Sequence, residues 1–269
     1  HFAYQAIASG DMDIVIAGGV ESMTRSPMFA NVGETKPSKR LTDKHQIVNQ
    51  GISAELIADK WGFTREQLDE YALRSHQLAL KAIRNGYYQD EIVPITVTDE
   101  HGNELIVDVD EGPRADTSLD ILSELKPVFK EDGKITAGNS SQMSDGASAV
   151  ILMSKEKALE LGLKPKAKII ARSVIGSDPT LMLTGPIEAT RQVLNKAGLS
   201  LDDMDRYEVN EAFAPIPLAW IHDLEADMDK LNVNGGAIAL GHPLGATGTK
   251  LLVSLINELE RIDGKYGLL

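Results

Sequence analysis

His242 is well placed for chemistry because it lies inside an unusually glycine-rich stretch. Five glycines occur within residues 235–248, and a helical pattern follows at residues 250–260. Glycine at this density is unfavourable unless the chain needs a tight turn or the close approach of backbone or ligand. A histidine held in such a loop ahead of a helix could transfer a proton or donate to an oxyanion. On spacing alone, a structural loop whose histidine caps a neighbouring group is an equally good interpretation.

A second polar pair, Asn210 and Glu211, follows the apolar segment 207–209 and precedes a helical pattern that ends at Leu224. Polar side chains between a strand end and a helix start can orient a water or a substrate carbonyl. Asparagine also favours helix caps, so a capping role is the alternative. Phe213, slightly further on, is by residue type more typical of a core.

A third stretch, residues 136–148, crowds small hydroxyl and amide side chains just before an apolar strand pattern at residues 147–153. These groups could offer several hydrogen bonds to a ligand, although an ordinary polar turn would look the same. Arg114 lies in a loop beside acidic residues. Its planar guanidinium suits phosphate or adenine, whereas a solvated surface arginine is the plainer interpretation. Met182, just before a helical pattern, is typical of a core.

Strand and helix patterns alternate around these residues and predict an α/β fold. A capping box at Thr64 and Gln67 predicts a long helix that ends at Asn85. Another helix is bounded by Pro186 in its first turn and by Gly198 at its end. The apolar run at residues 13–17 is predicted to be a buried strand. Further strands are predicted at residues 90–97, 104–109, 147–153, 167–175 and 207–209, the first two joined by a turn at residues 101–103. Shorter helices are predicted at residues 53–60 and 156–161.

Composition narrows the class of protein. The chain has 269 residues, a formal net charge of −13 and no cysteine. A negative charge of this size argues against nucleic-acid or anionic-membrane partners, and no apolar run is long enough for a transmembrane helix. The lack of cysteine excludes disulfides and thiolate–metal sites. Because the six histidines also lack ligand spacing, we predict no metal.

The wording of the His242 stretch, N-x-N-G-G-A-I-A-L-G-H-P-x-G-A-T-G, closely resembles the signature loop of the thiolases, which form and cleave 3-ketoacyl-CoA thioesters. Three further segments also resemble thiolase segments: those beginning at Gly18, Thr136 and Asn210. The resemblance implies a thiolase fold, with two similar α/β halves whose mostly parallel sheets stack as αβαβα layers, and with an inserted loop domain. It implies these boundaries: halves at residues 1–163 and 164–269, and the insertion at about residues 23–143.

The resemblance also implies a mechanism, which is reversible ping-pong acyl transfer between acetyl-CoA and acyl-CoA through an acyl-cysteine. The histidine that matches His242 activates the nucleophile, and with a water held by Asn210 it forms an oxyanion hole. The other matched residues are expected to contact CoA, its pantetheine arm or the acyl group: Arg114, Ser141, Met182, Ala212 and Phe213. CoA thioesters are then the substrates, without a resident cofactor.

Neither cysteine of that mechanism is present in the chain. In thiolases the nucleophile lies in a C-x-S-G turn a few residues before the position of His1. The second cysteine lies in a C-I-G-G-G turn just past the position of Leu269. We therefore expect a thiolase chain shortened at both ends, which keeps part of the CoA-binding surface and does not perform the Claisen step.

Two alternatives stay open at this point. A non-catalytic, thiolase-like protein that binds acyl-CoA or lipid would also lack the cysteines, although the presence of His242, Asn210, Glu211 and Ser141 argues against it. A chain that contributes only to an oligomer is the other alternative. For the intact protein, the resemblance implies a cytoplasmic homodimer or homotetramer that acts in fatty acid metabolism.

Overall fold

The computed structural model describes residues 1–269, which form ten helices and six strands. The helices are α1 (Phe2–Ala8), α2 (Lys39–Thr42), α3 (Gln50–Lys60), α4 (Arg65–Arg84), α5 (Leu119–Ser123), α6 (Lys155–Glu160), α7 (Gly185–Ala197), α8 (Pro215–Leu224), α9 (Ala237–Leu240) and α10 (Thr247–Arg261). The strands are β1 (Ile14–Ser22), β2 (Ile95–Thr98), β3 (Glu104–Val107), β4 (Asp145–Met153), β5 (Arg206–Tyr207) and β6 (Gly267–Leu268).

β1 and β4 form an antiparallel pair in register from Ile14 opposite Met153 to Ser22 opposite Asp145. One face of this pair carries the loop before α10, whose Gly245 N–H donates to the Glu21 carboxylate at 3.1 Å. The opposite face carries apolar side chains that are mostly exposed: Ile16, Val20 and Ile151. The prediction of a buried strand was therefore wrong, because only one of the two faces is covered.

The other two strand pairs are short. β2 and β3 form an antiparallel hairpin at the predicted place. Its turn is fixed by the Asp99 side chain, which accepts from the N–H groups of His101 and Asn103 at 2.9 and 2.8 Å. β5 and β6 pair in parallel, with Arg206 opposite Gly267. The hairpin and its turn confirm a prediction that needed only local sequence.

Helix boundaries agree closely with the sequence signals. Thr64 caps α4 by accepting from the N–H of Gln67, whose side chain accepts from the N–H of Thr64, so the predicted capping box is confirmed. α7 starts with Pro186 in its first turn and ends at Gly198, which has a left-handed φ of 66°. The short helices α2, α5 and α9 were not predicted, because segments of four or five residues carry too little periodicity to be recognised.

Residues 167–175 were predicted to be a strand, and this prediction was wrong. They pair with no strand, and their contacts are made by side chains instead. The Arg172 guanidinium stacks over the Tyr4 ring at 4.1 Å, and Ser173 Oγ donates to Ala189 O at 2.8 Å. An apolar run can only become a strand where a neighbouring strand offers hydrogen bonds to its backbone.

The main core lies between the first and second predicted halves of the chain. α3 and α4 contribute Ile57 and Leu68, and α8 contributes Trp220; all three are almost completely buried. The Trp220 indole N–H donates to Thr190 Oγ1 at 2.9 Å, so the polar end of this buried ring has a partner. α4 also packs against α9, the short helix that directly precedes the loop of His242.

The structure contains neither a membrane-spanning helix nor a cluster of metal ligands. None of the helices combines the length and the apolar character that crossing a bilayer requires. No group of three or more histidine and carboxylate side chains is arranged to hold a metal ion.

Candidate functional site

His242 lies between α9 and α10 in a turn that depends on glycine. Gly241 has a φ of 82°, and a β-carbon there would overlap Ser144 Oγ, so both the backbone conformation and the space require glycine. The His242 N–H donates to Gln142 O at 3.3 Å. The glycine-rich run thus packs the histidine loop tightly against the segment before β4, as its composition indicated.

The hydrogen bonds around the His242 ring select one tautomer. Nδ1 is 2.7 Å from Thr247 Oγ1, and that hydroxyl donates its only hydrogen to Pro243 O at 2.8 Å. Thr247 Oγ1 must then accept from Nδ1–H, which leaves Nε2 without a proton. Asn210 Nδ2 lies 3.2 Å from Nε2 and donates to its lone pair. His242 is therefore arranged as a base whose proton-accepting lone pair is on Nε2.

Burial lowers the pKa of His242 below its ordinary value, and the charge of Lys250 lowers it further. The carboxylate of Glu21 opposes this shift. The imidazole is consequently neutral at neutral pH, which is the protonation state that the tautomer argument requires and the state in which it can accept a proton.

Asn210 has an unsatisfied acceptor. Its Oδ1 is buried and has no hydrogen-bond partner, while its Nδ2 is engaged by His242. A helix-capping role is wrong for this residue, because α8 begins at Pro215 and its N-cap is Ala214. A buried unpaired oxygen is unfavourable unless a water or a ligand donates to it, so Asn210 fits the predicted role of holding a water.

Glu211 does not face the same space as Asn210. It is fully buried and accepts from Tyr71 Oη at 2.9 Å, Ser75 Oγ at 2.7 Å, Asn232 Nδ2 at 2.8 Å and Ile238 N at 3.1 Å. The expectation that Glu211 helps to orient a water or substrate is therefore wrong. Its carboxylate instead holds α4 and the start of α9 together, since both send donors to it. Burial and the neighbouring Glu211 charge raise the pKa of Tyr71, which keeps this phenol as a donor.

A small cavity of about 50 Å³ lies against His242. It is lined by predicted site residues from two other segments: Ser141, Ala212 and Phe213. The remaining lining residues are Met23, Met28, Gln50, Gln142, Met143 and Leu244. A larger adjoining cavity of about 530 Å³ shares Met23, Met28, Gln50 and Leu244 with the first. The site is thus a polar wall at Ser141 and His242 that continues into a methionine-rich groove.

The structure does not bring every predicted residue to this cavity. Arg114 is exposed, its side chain makes no hydrogen bond or ion pair, and its N–H donates to His76 Nδ1 at 3.1 Å. Met182 precedes α7, has a φ of 32° and lines neither cavity. An arginine outside the cavity could still meet the far end of a long ligand, so its predicted role stays a prediction, as does that of Met182.

Sequence reasoning missed two residues that the site depends on. Thr247 fixes the tautomer of His242, and Gln142 contacts the histidine loop through both its backbone and its side chain. The five-residue spacing between His242 and Thr247 was a usable signal, because a residue in the first turn of α10 can reach back to the loop. Gln142 gave no signal, since its partners are distant in the chain.

Comparisons with known proteins match nearly the whole chain. The family model "Thiolase, N-terminal domain" matches residues 1–156, and "Thiolase, C-terminal domain" matches residues 163–269. A steroid 3-ketoacyl-CoA thiolase of Mycobacterium tuberculosis is 48% identical over 99% of this chain and 67% of its own length. An acetyl-CoA acetyltransferase of Chromobacterium violaceum is 46% identical over 100% of this chain and 71% of its own length.

The fold is confirmed by a solved structure. The crystal structure of the Bacillus anthracis acetyl-CoA acetyltransferase superposes with a TM-score of 0.88 and 44% identity, over 99% of this chain and 71% of that one. The similarity therefore extends over nearly the whole chain and is not limited to the histidine loop. The chain belongs to the thiolase family.

Proposed function

We propose that this chain provides the base and the CoA-binding walls of a thiolase, an acyltransferase that forms or thiolytically cleaves 3-ketoacyl-CoA. The observation that carries the proposal is the line of contacts from Thr247 through His242 to Asn210 beside the cavity. This line holds an imidazole with its proton-accepting lone pair on Nε2, which is the group that a thiol needs for its deprotonation.

His242 has two tasks in the proposed reaction. Its Nε2 accepts the proton of an attacking thiol, which replaces the Asn210 N–H at that lone pair. The resulting Nε2–H then donates to the oxygen of the thioester carbonyl as negative charge develops there. A water that donates to Asn210 Oδ1 would supply the second donor to that oxygen. Thr247 keeps Nδ1 protonated throughout, so that the proton moves only at Nε2.

The substrate contacts are proposed for five residues, three of which line the cavity. Ser141, Ala212 and Phe213 line the cavity and would meet the pantetheine arm next to the thioester. Arg114, which carries an unpaired exposed charge, would meet the nucleotide phosphates, and Met182 would lie near the acyl group. The two relatives, an acetyl-CoA acetyltransferase and a steroid 3-ketoacyl-CoA thiolase, support CoA thioesters as the substrate class.

The acyl-cysteine of the thiolase mechanism cannot form on residues 1–269, because they contain no cysteine. We therefore expect these residues to bind CoA and acetyl-CoA without thiolysing acetoacetyl-CoA. Calorimetric titration with CoA tests binding, and release of acetyl-CoA from acetoacetyl-CoA tests turnover. Absence of any CoA binding would overturn the proposed binding surface, and turnover near the rate of an intact thiolase would overturn the need for cysteine.

Arg114→Ala tests the nucleotide contact, with Arg84→Ala as the matched control. Both arginines are exposed and neither has an ion-pair partner. We expect Arg114→Ala to weaken CoA binding about tenfold at low salt, the effect of losing one charge-assisted phosphate contact. Arg84→Ala should leave the affinity unchanged. Equal affinities for both variants would remove Arg114 from the site.

The absence of cysteine favours one second candidate, a non-catalytic protein that binds acyl-CoA or lipid. The two functions differ in what His242 does. In a thiolase site it contacts the thioester carbonyl, so His242→Ala should weaken acetyl-CoA binding and leave CoA binding nearly unchanged. A carrier that recognises only the nucleotide and the arm would show the same small change for both ligands.

The assembly and the cellular location are also proposals. We infer a homodimer or homotetramer acting in the cytoplasm, as the thiolase resemblance implies. The exposed apolar face of β1 and β4, with Ile16, Val20 and Ile151, supports self-association because an open patch of this kind is usually covered. Light scattering after gel filtration measures the assembly, and cell fractionation measures the location. A monomer at micromolar concentration would contradict the first.

A further inference from the structure

Gln142 is connected to several segments of the site through one side-chain nitrogen. Its Nε2 lies 2.9 Å from Gly112 O, 3.0 Å from Ile238 O and 3.1 Å from Ala239 O. An amide nitrogen carries two hydrogens, so two of these three carbonyls share one of them. Because three acceptors converge on this position, the nitrogen and not the oxygen of the side-chain amide must occupy it.

The backbone of Gln142 makes a further link, since its carbonyl accepts from His242 N at 3.3 Å. Gly112 lies two residues before Arg114, and Ala239 lies three residues before His242. Gln142 therefore bonds on one side to the loop that carries the exposed arginine and on the other to the loop that carries the base. No covalent connection shorter than about a hundred residues joins these two loops.

We propose that Gln142 is a positioning residue that couples the CoA-nucleotide contact at Arg114 to the ring position of His242. The inference rests on the proposed function and deepens it. The nucleotide end of CoA is remote from the thioester. Binding energy gained at the nucleotide therefore assists the reaction only if Arg114 and His242 are held at a fixed distance and orientation relative to each other. The hydrogen bonds of the Gln142 side chain hold the two loops in this arrangement.

Amide hydrogen exchange of residues 1–269, read by NMR, tests the coupling without any ligand. Gln142→Ala should raise exchange at the Arg114 and His242 N–H groups together by about tenfold, the change expected from the loss of one or two net hydrogen bonds. Gln77→Ala is the matched control, because Gln77 is exposed on α4 and makes no side-chain hydrogen bond. Faster exchange in one loop only would overturn the proposal.

Hydrogen exchange in the core distinguishes a loss of overall stability from a local effect on the two loops. If exchange at the buried Leu231 N–H rises by the same factor, Gln142 acts on overall stability and the proposal fails. Gln142→Glu gives a second variant with nearly the same shape. Its carboxylate would face three carbonyl oxygens, so it should raise exchange in both loops more than alanine does at pH 7, and less at low pH, where the protonated acid can donate again.

CoA titration supplies an independent arm. Gln142→Ala should weaken CoA binding by about fivefold to tenfold when Arg114 is present, and by less than twofold in an Arg114→Ala background, because coupled residues are not additive. Equal weakening in both backgrounds would overturn the coupling. If residues 1–269 bind no CoA at all, the proposed function fails, whereas the exchange experiment still decides whether Gln142 joins the two loops.

Discussion

Replacing Thr247 with valine should release His242 from its Nδ1–H tautomer. Valine keeps the shape of threonine but removes the hydroxyl that accepts from Nδ1 at 2.7 Å and donates to Pro243 O at 2.8 Å. Leaving a buried donor without a partner costs about 1–3 kcal/mol. In the valine variant only the Asn210 Nδ2 contact with Nε2 still favours Nδ1–H, so the ratio of the two tautomers should shift by about 5- to 150-fold toward Nε2–H.

The ring nitrogens can be observed directly. In ¹⁵N-labelled protein at neutral pH, correlation of the two nitrogens with the ring carbon-bound protons shows which one carries hydrogen. The wild-type spectrum should show Nδ1–H for His242, and the Thr247→Val spectrum should show a mixture or mainly Nε2–H. Thr247→Ser keeps the hydroxyl and should retain the wild-type spectrum. A valine variant that remains Nδ1–H would refute the argument that Thr247 selects the tautomer.

Three further predictions concern the stability of the fold. Glu211→Gln should lower the free energy of unfolding by about 3 kcal/mol, because the carboxylate accepts four hydrogen bonds and the amide replaces one of its acceptor oxygens with a donor. The control Glu70→Gln, on the surface of α4, should change the free energy of unfolding little. Urea denaturation measures both variants. Thr64→Ala should cost about 1 kcal/mol by the same measurement, through loss of the capping box. Burial lowers the pKa of both His242 and His76, so the unfolded chain binds more protons than the native chain below about pH 6.5. The stability from these two histidines is complete above that pH and is lost as pH falls through their native pKa values. Burial raises the pKa of Glu208, which changes stability in the opposite direction, so the wild type is compared with a His76→Gln, His242→Gln double variant; a difference in unfolding free energy that stays constant from pH 7.5 to 5.5 would contradict this.

Local signals predicted local structure well. The capping box at Thr64, the proline and glycine that bound α7, and the hairpin turn at Asp99–Asn103 each depend on residues within a few positions, and each is found where the sequence indicated. The histidine loop was identified for the same reason. Its dense glycines indicated an unusual backbone conformation, and Gly241 has a positive φ.

Features that depend on distant partners were predicted poorly. Whether residues 167–175 form a strand is decided by a neighbour that the segment does not encode, and the exposure of β1 is decided by what covers its second face. Glu211 was expected near the substrate because it follows Asn210, yet successive residues point in different directions and its donors come from α4 and α9. The hydrogen-bond partners of Gln142 are 30 and 96 residues away in the chain, so the sequence around Gln142 does not predict them.

The position of Glu211 nevertheless explains how a base in a glycine-rich loop stays aligned. Glu211 follows Asn210 directly in the chain, and it accepts from the N–H of Ile238, four residues before His242. Any displacement of this carboxylate would therefore move both members of the Asn210–His242 pair in a correlated way. A β-carbon at Gly236 would overlap the same carboxylate, so the glycine there permits the contact. The 3.2 Å distance between Asn210 Nδ2 and His242 Nε2 is thus maintained by a shared buried support, which a flexible loop could not provide alone.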